Sequence, residues 1–241
     1  MPDSPLVQLA ARLRDAVDGL RFAPPVDCTY NPLAYAWAPH RAYLERYGAA
    51  PKRVVFLGMN PGPFGMAQVG VPFGEVAAVR DWMGIDEPVD IPFPEHPKRP
   101  VTGFACTRSE VSGRRLWGLF AEKFGAADNF FRDHFVLNYC PLVWMSASGA
   151  NLTPDKLTAA ERDAVDAPCR EHLRAVLEHL RPTHAVGVGG FAEKQLASVT
   201  LPGDPGPVAT VLHPSPASPA ANRGWAEAAT KTLLKNGVWT E

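Results

Sequence analysis

The sequence predicts an α/β protein: a three-layer α/β/α sandwich around a central four-stranded parallel sheet. Four short apolar runs, residues 53–58, Phe135–Tyr139, His184–Val188 and Val208–Leu212, read as buried strands. Helical periodicities separate them, as crossover connections between parallel strands require. The third observation is the glycine- and proline-rich stretch from Gly58 to Gly74, GMNPGPFGMAQVGVPFG, directly after the first strand. Open α/β sheets place their ligands at that edge.

Each element follows in order. Leu6, Leu9, Ala10, Leu13, Val17 and Leu20 fall in helical register, and Pro24-Pro25 ends that helix. A second helix over Leu33–Tyr47 leads into the first strand, and the long loop passes into a helix over Glu75–Met83. Pro88, Pro92, Pro94, Pro97 and Pro100 mark an extended surface excursion. A helix over Glu110–Phe124 buries Leu116, Leu119 and Phe120. Further helices are expected at Thr158–Leu180, interrupted at Pro168, at Gly190–Ser198 and at Pro219–Lys235. No repeat or linker divides the chain, so one domain over residues 1–241 is expected.

With 241 residues and a net charge of −1, bulk charge holds no polyanion, and any nucleic-acid binding rests on a few placed cations. The four cysteines, Cys28, Cys106, Cys140 and Cys169, form no Cys-x-x-Cys pair, and nothing reads as a signal peptide or membrane span. A reducing, cytoplasmic setting is expected, with no secretion, no structural zinc and no iron–sulfur cluster. Cys169, His172 and His179 are expected to share a solvated helical face and not to bind metal.

The Gly58–Gly74 stretch is too rich in glycine and proline to continue as helix or strand. It forms a stiff loop that holds the carboxamide of Asn60 and the ring of Phe73, with open space expected over Gly62. Asn60, Asn138 and His213 each fall at the C-terminal end of a separate strand, and parallel strands bring such ends together. His213 opens the run His213-Pro214-Ser215-Pro216-Ala217-Ser218-Pro219, a proline-stiffened finger whose Ser218 and Pro219 start a helix. Walker-type, dinucleotide, nucleophile-elbow and zincin motifs are all missing from the sequence. An asparagine orients water but takes no proton near neutral pH, so this constellation suits a reaction whose leaving group departs unaided by a base.

These residues match a known pattern. Tyr30-Asn31-Pro32-Leu33, Tyr35-Ala36-Trp37, the Gly58–Glu75 stretch, Arg108-Ser109-Glu110-Val111-Ser112-Gly113 with Arg115 and Trp117, Asn138-Tyr139-Cys140-Pro141-Leu142, and His213-Pro214-Ser215-Pro216 with Asn222 and Gly224-Trp225 carry it. On these blocks the chain resembles the single-strand-selective monofunctional uracil-DNA glycosylase family of the uracil-DNA glycosylase superfamily. The resemblance implies a DNA-repair hydrolase that flips uracil out of single- or double-stranded DNA and leaves an abasic site without strand cleavage. It implies no cofactor, and as partner DNA containing uracil, C5-oxidised uracils or related deaminated bases. A monomer is expected, cytoplasmic in a bacterial cell or nuclear in a eukaryotic one.

By position, the resemblance implies that Asn60 positions the water and His213 stabilises charge on the leaving pyrimidine. Phe73 would stack on the base, Asn138 read its pairing edge, and Met59 and Gly62 border it. Arg108, Ser109, Ser112, Arg115 and Ser215 are candidates for phosphate contacts. The finger implies a wedge, with Pro216, Ala217 and Arg223 against DNA; vertebrate members carry a long basic side chain there, in place of Ala217. Two other readings stay open on the motifs: a glycosylase for deaminated purines, and a base-binding module without catalysis.

Overall fold

A computed structural model describes residues 3–199 and 208–240. In chain order the elements are α1 (Pro5–Asp18), β1 (Cys28–Tyr30), α2 (Pro32–Tyr35), α3 (Trp37–Tyr47), β2 (Val54–Gly58), α4 (Met66–Val69), α5 (Val111–Phe124), α6 (Ala127–Asp133), β3 (His134–Asn138), β4 (Val143–Met145), β5 (Asn151–Leu152), α7 (Ala159–Leu180), β6 (His184–Val188), α8 (Gly190–Ala197), β7 (Ala209–Val211), α9 (Pro219–Asn222) and α10 (Trp225–Lys235). Four strands pair in the order β3-β2-β6-β7, every neighbour parallel, which is the sheet the apolar runs predict.

The β2 and β3 strands are buried along their whole length, and their side chains alternate between two helical layers. Phe56 points to α5 and α6, where its ring meets Phe120 at 5.0 Å, and Phe120 stacks on Phe130 at 4.3 Å. Phe135 points the other way and stacks on Tyr43 of α3 at 5.1 Å. Each buried side chain of this kind contributes about 1.5–3 kcal/mol through removal from water. The ladder sets Gly58 opposite Asn138, so the motif residues begin where the sheet ends.

Helix starts carry local signals. Ser4 accepts from the Val7 amide with Pro5 in the first turn of α1, and Thr158 and Glu161 form a reciprocal capping box on α7.

Several expectations are corrected. Helix α7 runs through Pro168 without interruption; the carbonyl left without its helical donor belongs to exposed Ala164, where water can satisfy it. Cys169 is fully buried and the Nδ1 of His172 is buried, so these residues face inward and not to solvent. The stretch over Leu33–Tyr47 breaks at Ala36 into α2 and α3. The stretch over Pro219–Lys235 breaks at Gly224, whose φ of 131° only glycine adopts readily. The Glu75–Met83 segment winds as a π-helical turn over Ala78–Trp82.

A second sheet, β1-β4-β5, is antiparallel and has no counterpart in the sequence reading. Strands of two or three residues are too short to show a period. Among the described residues no helix is long and apolar enough to cross a membrane.

Candidate active site

The C-terminal ends of β2 and β3, the loop after β2 and the segment after β7 enclose one cavity of about 340 Å³. That size lies within the ~300–1,000 Å³ range of small-molecule sites. Met59, Asn60, Gly62, Phe73, Ser112, Asn138, His213, Ser215 and Pro216, all selected from the sequence, line it. Arg108, Ser109, Arg115, Ala217 and Arg223 lie outside its lining.

Asn60 is aimed by the small sheet. Its Nδ2 donates to the carbonyl of Leu142, the residue before β4, at 3.2 Å. With the amide group held there, Oδ1 is buried and has no partner among the described residues. A buried acceptor without a donor is costly, so this oxygen is a ready site for the hydrogen of a water.

Asn138 and Phe73 meet over Gly58. A Cβ on Gly58 would lie 2.4 Å from Asn138 Oδ1 and 2.5 Å from Phe73 Cε2, so only glycine lets both side chains in. The Nδ2 of Asn138 has the thioether of Met66 at 3.5 Å, a weak acceptor that a carbonyl oxygen would outcompete. Phe73 has a φ of +54°, uncommon for an aromatic residue. Two contacts hold it: Trp117 Nε1 donates to its carbonyl at 3.1 Å, and a Cβ on Gly113 would lie 1.9 Å from that oxygen. Strain fixed this firmly is typical of ligand clamps.

His213 lies 6.2 Å from Phe73, ring centre to ring centre. The Ser215 amide donates to its Nδ1 at 3.2 Å, so in the neutral ring the proton sits on Nε2. Burial lowers its pKa below the ordinary histidine range, which keeps that donor neutral at physiological pH. Gly189, at a φ of +91°, makes room for it; a Cβ there would lie 3.1 Å from His213 Cβ.

The finger after His213 is braced. Arg115 Nη1 donates to Pro214 O at 2.9 Å, and its Nη2 donates to Asn222 Oδ1 at 2.8 Å. Asn222 in turn donates to Pro216 O at 2.9 Å, and Ser215 Oγ accepts from the Ala217 amide at 3.1 Å. Arg115 is thus engaged beneath the finger, and Ser109 is engaged with Glu75 at 3.2 Å. Ala217 and Arg223 are exposed on the finger and its base.

Gly62 lines the cavity as expected, and the carboxylate of Glu110 borders the space beside it: a Cβ on Gly62 would lie 2.9 Å from Glu110 Oε2. Glu110 caps α5 by accepting from the Ser112 amide, and burial raises its pKa. Glu110, Met66, Asn151 and Thr153 line the cavity without having been selected. Glu110 carried a signal in its place beside Ser112, whereas Asn151 and Thr153 arrive on the short β5 hairpin, which left none.

Residues 45–235 match the family model described as "Uracil DNA glycosylase superfamily". The chain belongs to that superfamily. It is 48% identical over 236 residues to a single-strand selective monofunctional uracil DNA glycosylase of Bos taurus, covering 96% of this chain and 86% of that one. It is 49% identical over 231 residues to the Mus musculus protein of the same name, covering 94% and 82%. At this identity and coverage it is a member of their branch of the superfamily. The crystal structure of Pedobacter heparinus SMUG2 superimposes with a TM-score of 0.66 over 95% of this chain and 97% of that one, at 19% identity, and shares its fold.

Proposed function

We infer that the chain is a monofunctional uracil-DNA glycosylase, which hydrolyses the N-glycosidic bond of uracil in DNA and leaves an abasic site. The observation that carries this reading is the convergence of two carboxamides and one neutral imidazole on a single cavity from three strand ends.

Breaking the bond between uracil N1 and the sugar sends the bonding electron pair to the base, which departs as an anion while the sugar becomes cationic. His213 Nε2–H meets the growing charge on a pyrimidine oxygen, and a preorganised donor of this kind is worth ~3–4 kcal/mol. Asn60 Oδ1 accepts a hydrogen from the water that adds to the sugar carbon. Its carboxamide is not a base, so the proton leaves to solvent after addition.

Asn138 supplies selectivity. It accepts from uracil N3–H and donates to O4, whereas cytosine offers the opposite pattern at both atoms and would leave two buried groups unpaired. Hydrogen-bond sites of this type discriminate by ~10⁴ or more. Phe73 provides the flat apolar face. Among the described residues no lysine lines the cavity to trap the sugar as a Schiff base, in keeping with hydrolysis without strand cleavage.

The same reading extends to C5-oxidised uracils as further substrates, to action as a single-domain monomer, and to a location in the compartment that holds DNA. Extrusion costs a few kcal/mol in a duplex and little in a single strand. The test is release of free uracil from matched single- and double-stranded oligonucleotides; absence of release from both contradicts the reading, as does a clear preference for hypoxanthine or xanthine.

A further inference from the structure

The proline-rich excursion predicted over residues 87–100 has no role in the chemistry above, yet the structure ties its end to the catalytic loop. Gln68, 1% exposed, donates from Nε2 to Pro63 O at 3.0 Å and to Pro100 O at 3.1 Å, and its Oε1 accepts from the Thr102 amide at 2.9 Å. One buried amide therefore fixes the excursion's exit against the loop that carries Asn60.

What this tie brings together is Phe64 and two arginines. The guanidinium carbon of Arg108 lies 4.5 Å from the centre of the Phe64 ring, and that of Arg99 lies 5.3 Å from it. Arg99 is also held from behind: its Nε donates to Gly149 O at 2.7 Å and its Nη1 to Lys98 O at 3.1 Å, and its Nη2 has no partner among the described residues. Neither arginine has a carboxylate within 4.0 Å among the described residues. Two cations without counter-charges on one aromatic ring repel each other, and the arrangement is relieved when an anion joins them. Arg108, with no side-chain hydrogen bond among the described residues, keeps for an anion the N–H edge that binds phosphate in a fork, and Arg99 adds the N–H groups of Nη2.

We propose that Arg99 and Arg108, aligned on Phe64, form a backbone-phosphate site for the DNA strand next to the extruded nucleotide. Phe64 acts as a positioning residue that holds the two guanidinium groups in place before DNA arrives. The inference rests on the reading of DNA as substrate, and it gives the proline-rich excursion a function.

The probe is a short labelled single strand carrying one abasic analogue, with its affinity measured by anisotropy across a salt series, beside uracil release from the matching substrate. Each phosphate contact contributes about −0.7 to the slope of log affinity against log salt on single strands. Arg99→Gln and Arg108→Gln are each expected to flatten that slope by about this amount and to raise KM with kcat kept. Phe64→Leu, which keeps both charges and apolar bulk, is expected to weaken affinity about two- to fivefold with the slope unchanged, the scale of an exposed cation–π contact. Wild-type slopes in both arginine variants overturn the site, and so does wild-type affinity in Phe64→Leu. Failure of the wild-type protein to release uracil at all overturns the glycosylase reading itself, a distinct result.

Discussion

Gly58 and Asn138 stand opposite each other at the last rung of the β2–β3 ladder, so close that a Cβ on the glycine would lie 2.4 Å from the asparagine's Oδ1. The same Cβ would press on the Phe73 ring at 2.5 and 2.6 Å. Gly58→Ala is therefore expected to fold, at a cost of about 1–3 kcal/mol from overpacking, while moving the base-reading amide and the stacking ring together. A displacement of about 1 Å costs on the order of a hundredfold in rate. Uracil release and a denaturation curve on the same preparation check both halves; an unchanged rate would show that the two side chains do not form the pocket's floor.

In the proposed reaction His213 works as a neutral donor, and its pH dependence follows from that. Burial lowers its pKa, so the neutral form persists to more acid pH than for a free imidazole. Protonation puts a hydrogen on Nδ1, which can then no longer accept from Ser215 N, and the finger loses its tie to the ring. The rate is expected to stay level through the ordinary histidine range near ~6.5 and to fall only below it. His213→Ala should lose about 3–4 kcal/mol of transition-state stabilisation and abolish that limb of the profile. A wild-type rate that rises as His213 gains its proton would contradict the neutral role.

Arg115 is a brace more than a phosphate ligand, because both terminal nitrogens of its guanidinium are spent on Pro214, Ser215 and Asn222. Its loss slackens the finger, which matters most where a base must be forced from a stack. Arg115→Met is expected to reduce uracil release from duplex severalfold more than from single strand, since extrusion is the step that differs. Equal losses on the two substrates would place Arg115 on the phosphates instead.

Acid weakens the whole fold through three histidines. Burial holds the pKa of His40, His134 and His172 at about 4 against 6.5 when unfolded. Between these values the unfolded chain binds more protons than the folded one, so stability is full above pH 6.5 and declines as pH falls toward 4. The contribution is on the order of 3 kcal/mol per histidine. His40 and His172 also line one cavity of about 40 Å³, where His172 Nδ1 has no partner among the described residues. Urea midpoints compared at neutral pH and at about pH 4.5 check this; equal midpoints would mean the rings titrate normally.

The parallel sheet was legible because Val54–Gly58, Phe135–Asn138 and Ala185–Val188 are buried on both faces and therefore read as predominantly apolar runs. Asn60, Asn138 and His213 were legible as a set because such strands end at one edge. The partners that aim them were not. Leu142, whose carbonyl orients Asn60, acts through its backbone, and no side-chain pattern records that. Glu110 comes up beside Gly62 at the cavity through a contact between distant segments, which no local pattern records. Pro168 misled for a different reason: the bond it costs α7 falls on an exposed turn, where water makes the loss small.

In the proposed reaction Asn60 Oδ1, buried and without a partner among the described residues, receives the hydrolytic water while His213 receives the charge of the departing base. The most direct measurement is single-turnover release of uracil from a single-stranded oligonucleotide by the wild-type protein and by Asn60→Ala, with substrate affinity measured alongside. The wild type is expected to release uracil, and Asn60→Ala to do so at a rate lower by on the order of a hundredfold or more with affinity nearly unchanged. Release by Asn60→Ala at the wild-type rate would contradict this role of Asn60.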